Sequence, residues 1–107
     1  MGKTQVQGRR GEDIALRFLL EKGFVFVAQN VRTPFGELDL IMRDGKELVF
    51  VEVKYRVGAE AFGGPEAALT PKKLLRVSRS LLAYCGRIRW SGPYRLDFLA
   101  IEESEEG

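Results

Sequence analysis

The stretch that decides the fold is residues 36–55, GELDLIMRDGKELVFVEVKY. Two apolar-rich segments, Gly36–Arg43 and Lys46–Tyr55, are joined by Asp44-Gly45, a strong sequence signal for a β-hairpin. Apolar residues occur at both odd and even positions of each segment, which is typical of strands buried on both faces. The sequence therefore predicts two antiparallel strands at the centre of a sheet.

The flanking segments carry alternating helix and strand signals. The predicted elements are a helix from about Gly8 to Lys22, a strand at Phe24–Ala28, a turn at Asn30–Pro34, a mobile glycine-rich loop at Val57–Leu69, a helix from Thr70-Pro71 to about Tyr84 that Gly86 ends, and a strand at Tyr94–Ile101. An extra strand at Arg87–Trp90 is left open. The order is α-β-β-β-α-β in one domain of 107 residues, with a core at about 8–101 and an acidic tail at 102–107.

Composition excludes several classes of chemistry and of location. The chain has no histidine, which excludes Ser-His-Asp and Cys-His triads and His-ligated zinc. Cys85 is the single cysteine, so no internal disulfide can form, and a reducing compartment is expected. No apolar run approaches the roughly 20 residues that span a bilayer, and Met1–Arg10 is too polar for a signal peptide. We expect a cytoplasmic protein without membrane contact, whose chemistry uses carboxylates, lysines, hydroxyls or a hard metal ion.

Positive charge is concentrated in two segments of the chain. The first ten residues contain Lys3, Arg9 and Arg10 and no acid. Residues 71–96 also lack acids and contain seven basic residues: Lys72, Lys73, Arg76, Arg79, Arg87, Arg89 and Arg95. Clustered positive charge predicts a polyanionic partner without identifying it.

The hairpin brings acidic residues together. A two-residue turn at Asp44-Gly45 predicts that Asp39 lies opposite Phe50, and Glu37 opposite Glu52. Asp39 and Glu52 are then diagonal neighbours, close enough for both carboxylates to reach one cation. Four side chains share this face of the sheet: Glu37, Asp39, Glu52 and Lys54.

Carboxylates this close together among apolar residues are costly unless a cation neutralises them. Two or three oxygen ligands with waters and a substrate phosphate are the usual arrangement for Mg²⁺. Lys54 could hold an attacking water or stabilise negative charge in a transition state. The alternative is a solvated Glu-Lys pair at a sheet edge, because the spacing Asp-x(12)-Glu-x-Lys often occurs by chance.

At the level of motifs, the chain resembles a known family from about residue 8 to residue 101. The segments that carry the resemblance are GRRGEDIA, NVRTPFGELDLI, LVFVEVKYR, PKKLLRVSRSLLAY and YRLDFLAI. They are similar to the YraN-like bacterial family of the PD-(D/E)xK, or restriction-endonuclease-like, superfamily, closest to archaeal Holliday junction resolvases. Leu38 stands where that superfamily has a proline.

This resemblance implies a fold, an activity and a site. It implies an αβββαβ core with a mixed central sheet, Mg²⁺- or Mn²⁺-dependent cleavage of DNA phosphodiester bonds, and Asp39, Glu52 and Lys54 as the catalytic set. We expect the metal to be held by Asp39, Glu52 and the Val53 backbone carbonyl, with Glu12 completing the site and Glu37 as a secondary candidate.

Glu12 is also singled out by helix periodicity. It lies in line with Ala15, Leu16 and Leu19 on the core-facing side of the first helix. An acid on that side needs a partner, and the resemblance implies that this partner is the metal. The alternative is an acid favoured by the helix dipole.

The second helix predicts a DNA-binding surface. An apolar side (Leu74, Leu75, Ser78, Leu81, Leu82 and Cys85) is separated from a basic side (Lys72, Arg76 and Arg79). Lys72 and Lys73 occupy the first turn, where the helix dipole disfavours cations, and a bound phosphate would remove this conflict. Which of the two lysines faces the acids is left open, and an ordinary solvated basic face is the alternative.

Three functional hypotheses follow. The first is a metal-dependent DNA endonuclease, which by resemblance alone would act on branched or junction DNA. The second is a nucleic-acid-binding module that keeps a nuclease-like fold without cleaving, and the third is a partner of an acidic protein. A homodimer is expected under the first hypothesis, because a four-way junction has two-fold symmetry.

Overall fold

A computed structural model describes residues 3–58 and 70–104, and the side chains of residues 3–8 lie outside that description. The elements are α1 (Lys3–Glu21), β1 (Val25–Thr33), β2 (Gly36–Asp44), β3 (Glu47–Val57), α2 (Pro71–Ile88) and β4 (Tyr94–Glu103). The predicted α-β-β-β-α-β order is confirmed. The sheet order is β1-β2-β3-β4, with β1, β2 and β3 antiparallel and β4 parallel to β3. The sheet is therefore mixed, as predicted.

Several predicted boundaries are wrong. α1 begins at Lys3 rather than near Gly8, and Asn30–Thr33 continues β1 instead of forming a turn. α2 runs past Gly86 to Ile88, so Arg87–Trp90 forms no strand. It ends where Arg89 adopts a left-handed conformation, and the backbone amide of Arg89 donates to the carbonyls of Cys85 and Gly86. Most of the predicted glycine-rich loop, residues 59–69, and the end of the acidic tail lie outside the described residues.

The two helices cover opposite faces of the sheet. One apolar cluster joins α1 to the sheet: Ala15, Leu19, Leu40, Met42, Val49 and Val51. The other joins α2 to the sheet: Leu38, Ile41, Leu48, Phe50, Val77, Leu81, Tyr84 and Cys85. β2 and β3 contribute to both clusters, which confirms that these strands are buried on both faces. None of the helices in the described part of the chain is long and apolar enough to cross a membrane.

The buried side of α2 differs from the predicted apolar side. Leu81 and Cys85 are buried as predicted, but Leu74, Leu75 and Leu82 are 41–54% exposed. The helix is rotated so that Tyr84 packs edge-on against Phe50, with ring centroids 6.0 Å apart. Its Ser80 hydroxyl also forms a hydrogen bond with Thr33 at 3.0 Å. These contacts with β3 and β1 set the rotation, and a helical projection cannot include them.

α1 lies close to β3 because Gly11 has no side chain. A Cβ atom built on Gly11 would lie 2.4 Å from Cβ of Tyr55, well inside van der Waals contact. Gly86 in α2 provides the contrast, because a Cβ there would have no neighbour within 4 Å.

We expect Gly11→Ala to destabilise the protein by about 1–3 kcal/mol, the usual cost of overpacking, because α1 must move away from Tyr55. The matched change Gly86→Ala should instead stabilise it by about 0.5–1 kcal/mol, since alanine is the better helix former and meets no neighbour. Urea unfolding of both variants measures the difference. Equal effects of the two changes would show that α1 does not pack this closely on β3.

Candidate acid site

The register of the central hairpin differs by one position on each strand from the prediction. Asp44 pairs with Glu47, and Gly45-Lys46 forms the turn, with Gly45 at φ 62°. The last regular pair is Leu40 with Val51. The predicted pairings were therefore wrong. Because both strands shift together, the odd residues of β2 still face the even residues of β3, and Asp39 moves from a diagonal position to one facing Glu52.

Asp39 and Glu52 are held by backbone amides across the hairpin. The Val53 amide donates to Oδ2 of Asp39 at 2.8 Å, and the Asp39 amide donates to Oε2 of Glu52 at 3.1 Å. These side-chain acceptors extend the contact between β2 and β3 beyond the last regular pair. The positions of both carboxylates are thus set by the backbone of the sheet.

Burial makes the ionised form of this pair unfavourable. Glu52 is only 6% exposed, and its burial, followed by the charge of Asp39, raises its pKa from 4.5 to about 7. The pKa of Asp39 is raised as well, chiefly by burial, although the Val53 amide and the charge of Lys73 oppose this. The backbone amides and Lys73 therefore neutralise the negative charge of the two acids only in part.

Glu12 joins the same environment from α1. It is half-buried, and its pKa is raised, first by burial and then by the charge of Asp39. Its charge in turn raises the pKa of Glu52. Side-chain hydrogen bonding from Asn30 partly offsets the rise at Glu12. We call Glu12, Asp39 and Glu52 the acid site.

Lys73 is the lysine of α2 that faces the acid site. Its charge lowers the pKa of both Asp39 and Glu52, and it is half-buried, whereas Lys72 is exposed. Thr70 caps the helix by accepting the Lys73 amide at 3.1 Å, which fixes the first turn. The question left open by the sequence is thus answered in favour of Lys73. Lys54 lies two residues after Glu52 on β3 and is exposed.

The other basic candidates have different surroundings. Arg10 forms an ion pair with Glu103 at 2.9 Å and a hydrogen bond with Tyr55, so the structure gives it a partner within the chain. Arg9 is exposed. On α2, Arg79 is exposed, and the stem of Arg76 lies over Gly36, 3.2 Å from the Cβ position built there.

Glu37 lies beside the acid site rather than in it. It is exposed and pairs with Arg32 at 3.8 Å, and its charge raises the pKa of Asp39 and Glu12. Asn30 was missed by the sequence analysis because it was assigned to a turn. The sequence does not show whether this asparagine lies in a turn or inside a strand, since asparagine is common in turns.

The donor set suits a hard cation. Asp39 and Glu52 supply carboxylate oxygens in a buried place where positive charge would relieve their repulsion, and the Val53 carbonyl lies in the same segment. Among residues 3–58 and 70–104, however, no group of three or more Asp, Glu, His or Cys side chains lies close enough to hold a metal. The structure therefore brings together the two strand acids, and the expected third ligand Glu12 is only a neighbour.

The fold and the site together define a small αβββαβ protein in which a buried glutamate and a half-buried aspartate face each other across the central hairpin. The chain belongs to the uncharacterised protein family UPF0102, whose model matches residues 11–101, and the expected YraN-like membership is confirmed. It is 44% identical over 98 residues to the UPF0102 protein of Shewanella woodyi, covering 92% of this chain and 83% of that protein. A UPF0102 protein of Neisseria meningitidis serogroup C is 43% identical over 99 residues, with coverages of 92% and 85%.

We expect Glu52→Gln to stabilise the metal-free protein at pH 8 but not at pH 4.5. The pKa of Glu52 is higher in the folded protein than its ordinary value of 4.5, so folding favours the protonated form. The wild type therefore loses stability as the pH rises from 4.5 to about 7, and the glutamine variant lacks this loss. The difference at pH 8 should reach at most about 3 kcal/mol.

Urea unfolding with a chelator present, at a series of pH values, measures this difference. The control is Glu21→Gln at the exposed end of α1, which should show no such trend. A stability difference between Glu52→Gln and wild type that stays constant with pH would contradict the assigned environment of Glu52.

Proposed function

We propose that this protein is a metal-dependent deoxyribonuclease that hydrolyses phosphodiester bonds, with Mg²⁺ or Mn²⁺ bound at the acid site. The observation that carries the proposal is the burial of Glu52, 6% exposed, beside Asp39. Burying an acid next to a second acid lowers stability, and strongly perturbed carboxyl groups of this kind are concentrated at functional sites. An ordinary solvated Glu-Lys pair would show neither the burial nor the raised pKa.

In this proposal the acids of the two strands hold the ion. Asp39 and Glu52 would bind it through their carboxylates, with the Val53 carbonyl as a further ligand and Glu12 as a neighbouring acid. A bound divalent ion supplies a more acidic water and neutralises charge on the phosphoryl oxygens. Because Asp39 and Glu52 are fixed by backbone amides, they would need little rearrangement to bind it.

The two lysines near the acids have separate roles in the proposal. Lys54 is exposed on β3, two residues after Glu52. From there its ammonium group could reach the scissile phosphate and stabilise the transition state. Lys73 lowers the pKa of both strand acids and so opposes part of the rise that burial causes. Lys73 therefore acts on the carboxylates and Lys54 on the substrate.

DNA would be held by the exposed basic residues. Three of them lie on α2: Lys72 in the first turn, next to Lys73, and Arg76 and Arg79 further along the helix. Arg9 lies on α1. Arg10 is left out, because its guanidinium group already binds Glu103. Phosphate contacts from such residues give affinity without sequence preference.

The finer parts of the proposal come from the family resemblance. They are an action on branched or junction DNA and a homodimer that would match the two-fold symmetry of a junction. We also propose a cytoplasmic location, which suits a DNA substrate and a free cysteine. The competing hypothesis is a nucleic-acid-binding module of the same fold that does not cleave.

Purified protein with Mg²⁺ or Mn²⁺ should cleave at least one of four labelled DNAs: duplex, flap, single strand or four-way junction. Asp39→Asn should reduce the rate by at least about 100-fold, because the amide still accepts from Val53 but loses the charge that holds the ion. Glu21→Gln at the end of α1 is the control. Binding of all four DNAs without cleavage would favour the binding module.

The same assay separates chemistry from binding at Lys54. We expect Lys54→Ala to cut the single-turnover rate by about 100-fold or more and to change affinity only a few-fold. Lys46→Ala removes another exposed lysine of the hairpin and should change neither quantity. An effect of Lys54→Ala on affinity alone would remove its proposed role in the transition state.

We expect Arg76→Ala combined with Arg79→Ala to weaken DNA binding and to flatten its salt dependence. Each lost phosphate contact should reduce the log–log slope against salt by about 0.9 on duplex DNA, so the pair should reduce it by up to about two. Arg17→Ala combined with Lys46→Ala removes the same charge from exposed positions elsewhere. Fluorescence anisotropy measures both pairs, and equal slopes for the two would place the DNA away from α2.

A further inference from the structure

The turn between β1 and β2 is fixed by hydrogen bonds of one threonine. Thr33 and Gly36 pair across the turn, and Pro34 and Phe35 form its tip. The Thr33 hydroxyl donates to the Gly36 carbonyl at 2.9 Å and accepts the Phe35 amide at 3.1 Å. It also forms a hydrogen bond with the hydroxyl of Ser80, a buried residue of α2, at 3.0 Å. These bonds hold the turn against α2.

The turn also packs closely on α2. A Cβ atom built on Gly36 would lie 3.2 Å from Cγ of Arg76, and the φ of Gly36, 147°, is one that favours glycine. The stem of Arg76 therefore lies directly over the base of the turn. On the β1 side, the side chain of Arg87 donates to the Arg32 carbonyl at 2.9 Å. Both strands that lead into the turn are thus held by α2.

The tip of this fixed turn carries an exposed aromatic ring. Phe35 is 46% exposed, whereas turn positions usually carry glycine, proline, asparagine, aspartate or serine. Phe35 contributes its backbone amide to the turn, and any residue except proline supplies such an amide. The turn therefore does not require the ring. An exposed ring on a rigid support is a suitable anchor for a ligand.

The charges around the tip indicate the kind of ligand. Arg32, three residues before Phe35, has a side chain that is 91% exposed, and its ion pair with Glu37 is 3.8 Å long. Arg76 and Arg79 of α2 are exposed, and α2 contains no acidic residue. Guanidinium groups bind phosphates, and nucleobases stack on aromatic rings. A ring beside arginines therefore suits a nucleic acid better than an apolar protein surface.

Stacking on a ring distinguishes unpaired bases from paired ones. In a duplex each base is covered by its neighbours in the stack, and an unpaired base exposes its faces. Phe35 is four residues from Asp39, so their Cα atoms lie within roughly 14 Å, the reach of an extended chain. One strand of DNA can therefore contact Phe35 and the acid site at the same time.

We propose that Phe35, with Arg32 and Arg76 beside it, binds an unpaired base of DNA, and that the substrate of the acid site is DNA with a single-stranded stretch. The inference rests on the proposed function, because it takes DNA as the ligand, and it names the substrate class of that site. A four-way junction with fully paired arms offers no such base. Single strands and flaps should therefore be preferred over junctions.

Fluorescence anisotropy with a chelator present tests this binding without metal or cleavage. The probes are a labelled oligothymidylate and a duplex of the same length. We expect Phe35→Ala to weaken binding of the single strand by about 5- to 100-fold and binding of the duplex by less than about two-fold. Phe26→Ala is the matched control, because Phe26 is a 43% exposed phenylalanine of β1, and it should change neither affinity.

Two further variants identify stacking as the cause. Phe35→Leu keeps an apolar side chain without an aromatic face, so it should lose affinity for the single strand as Phe35→Ala does. Phe35→Trp should bind the single strand at least as tightly as the wild type, and its tryptophan fluorescence should fall on binding. The fluorescence of Phe26→Trp should not fall. Because the ring is exposed, all Phe35 variants should melt within a few degrees of the wild type.

Wild-type affinity of Phe35→Leu for the single strand, or equal losses of Phe35→Ala on single strand and duplex, would overturn the inference. Cleavage is scored separately. If the wild type cleaves no DNA, the nuclease proposal fails, and a loss of single-strand binding in Phe35→Ala still supports the base-binding site. If the wild type cleaves DNA and Phe35→Ala keeps the same preference among single strand, flap and junction, the inference fails and the nuclease remains.

Discussion

Two hydrogen bonds between carboxylates and backbone amides determine the arrangement of the centre of this molecule. The Asp39 carboxylate accepts from the Val53 amide, and the Glu52 carboxylate accepts from the Asp39 amide, directly beyond the last regular pair of the hairpin. The acids thereby replace backbone carbonyls as acceptors between β2 and β3. Their geometry is consequently as rigid as the sheet, which is the condition under which a binding site is preorganised.

This arrangement has an electrostatic consequence for the whole fold. The hydrogen bonds from the backbone amides favour the ionised carboxylates, but burial favours the protonated forms more strongly. The pKa values of Asp39 and Glu52 are therefore raised overall. Two apolar clusters on either side of the sheet supply the stability that this centre lacks. Stability lost at one place and recovered elsewhere is the usual pattern of a functional site in a small protein.

The sequence predicted the central hairpin and the grouping of its acids, because both depend on local signals. The register was wrong by one residue on each strand, since Asp44-Gly45 and Gly45-Lys46 are both acceptable two-residue turns with a glycine at positive φ. Asp39 and Glu52 still meet because both strands moved together, but Leu38 and Ile41 both pack under α2, so the regular alternation predicted for β2 breaks at Asp39. The rotation of α2 was missed because it depends on the contact between Tyr84 and Phe50, which lie 34 positions apart in the chain. Asn30 was assigned to a turn because asparagine is common in turns, whereas it lies inside β1 with a left-handed backbone.

The first turn of α2 shows how the acid site and the basic surface are connected. Lysines at a helix N-terminus are disfavoured by the helix dipole, and Lys72 and Lys73 both stand there. For Lys73 the conflict is resolved inside the protein, because it is half-buried next to the negative charges of Asp39 and Glu52. Lys72 is exposed on the adjoining side of the same turn. Its unfavourable position would be relieved by an anion from outside, and a phosphate bound there would lie next to the turn that carries Lys73.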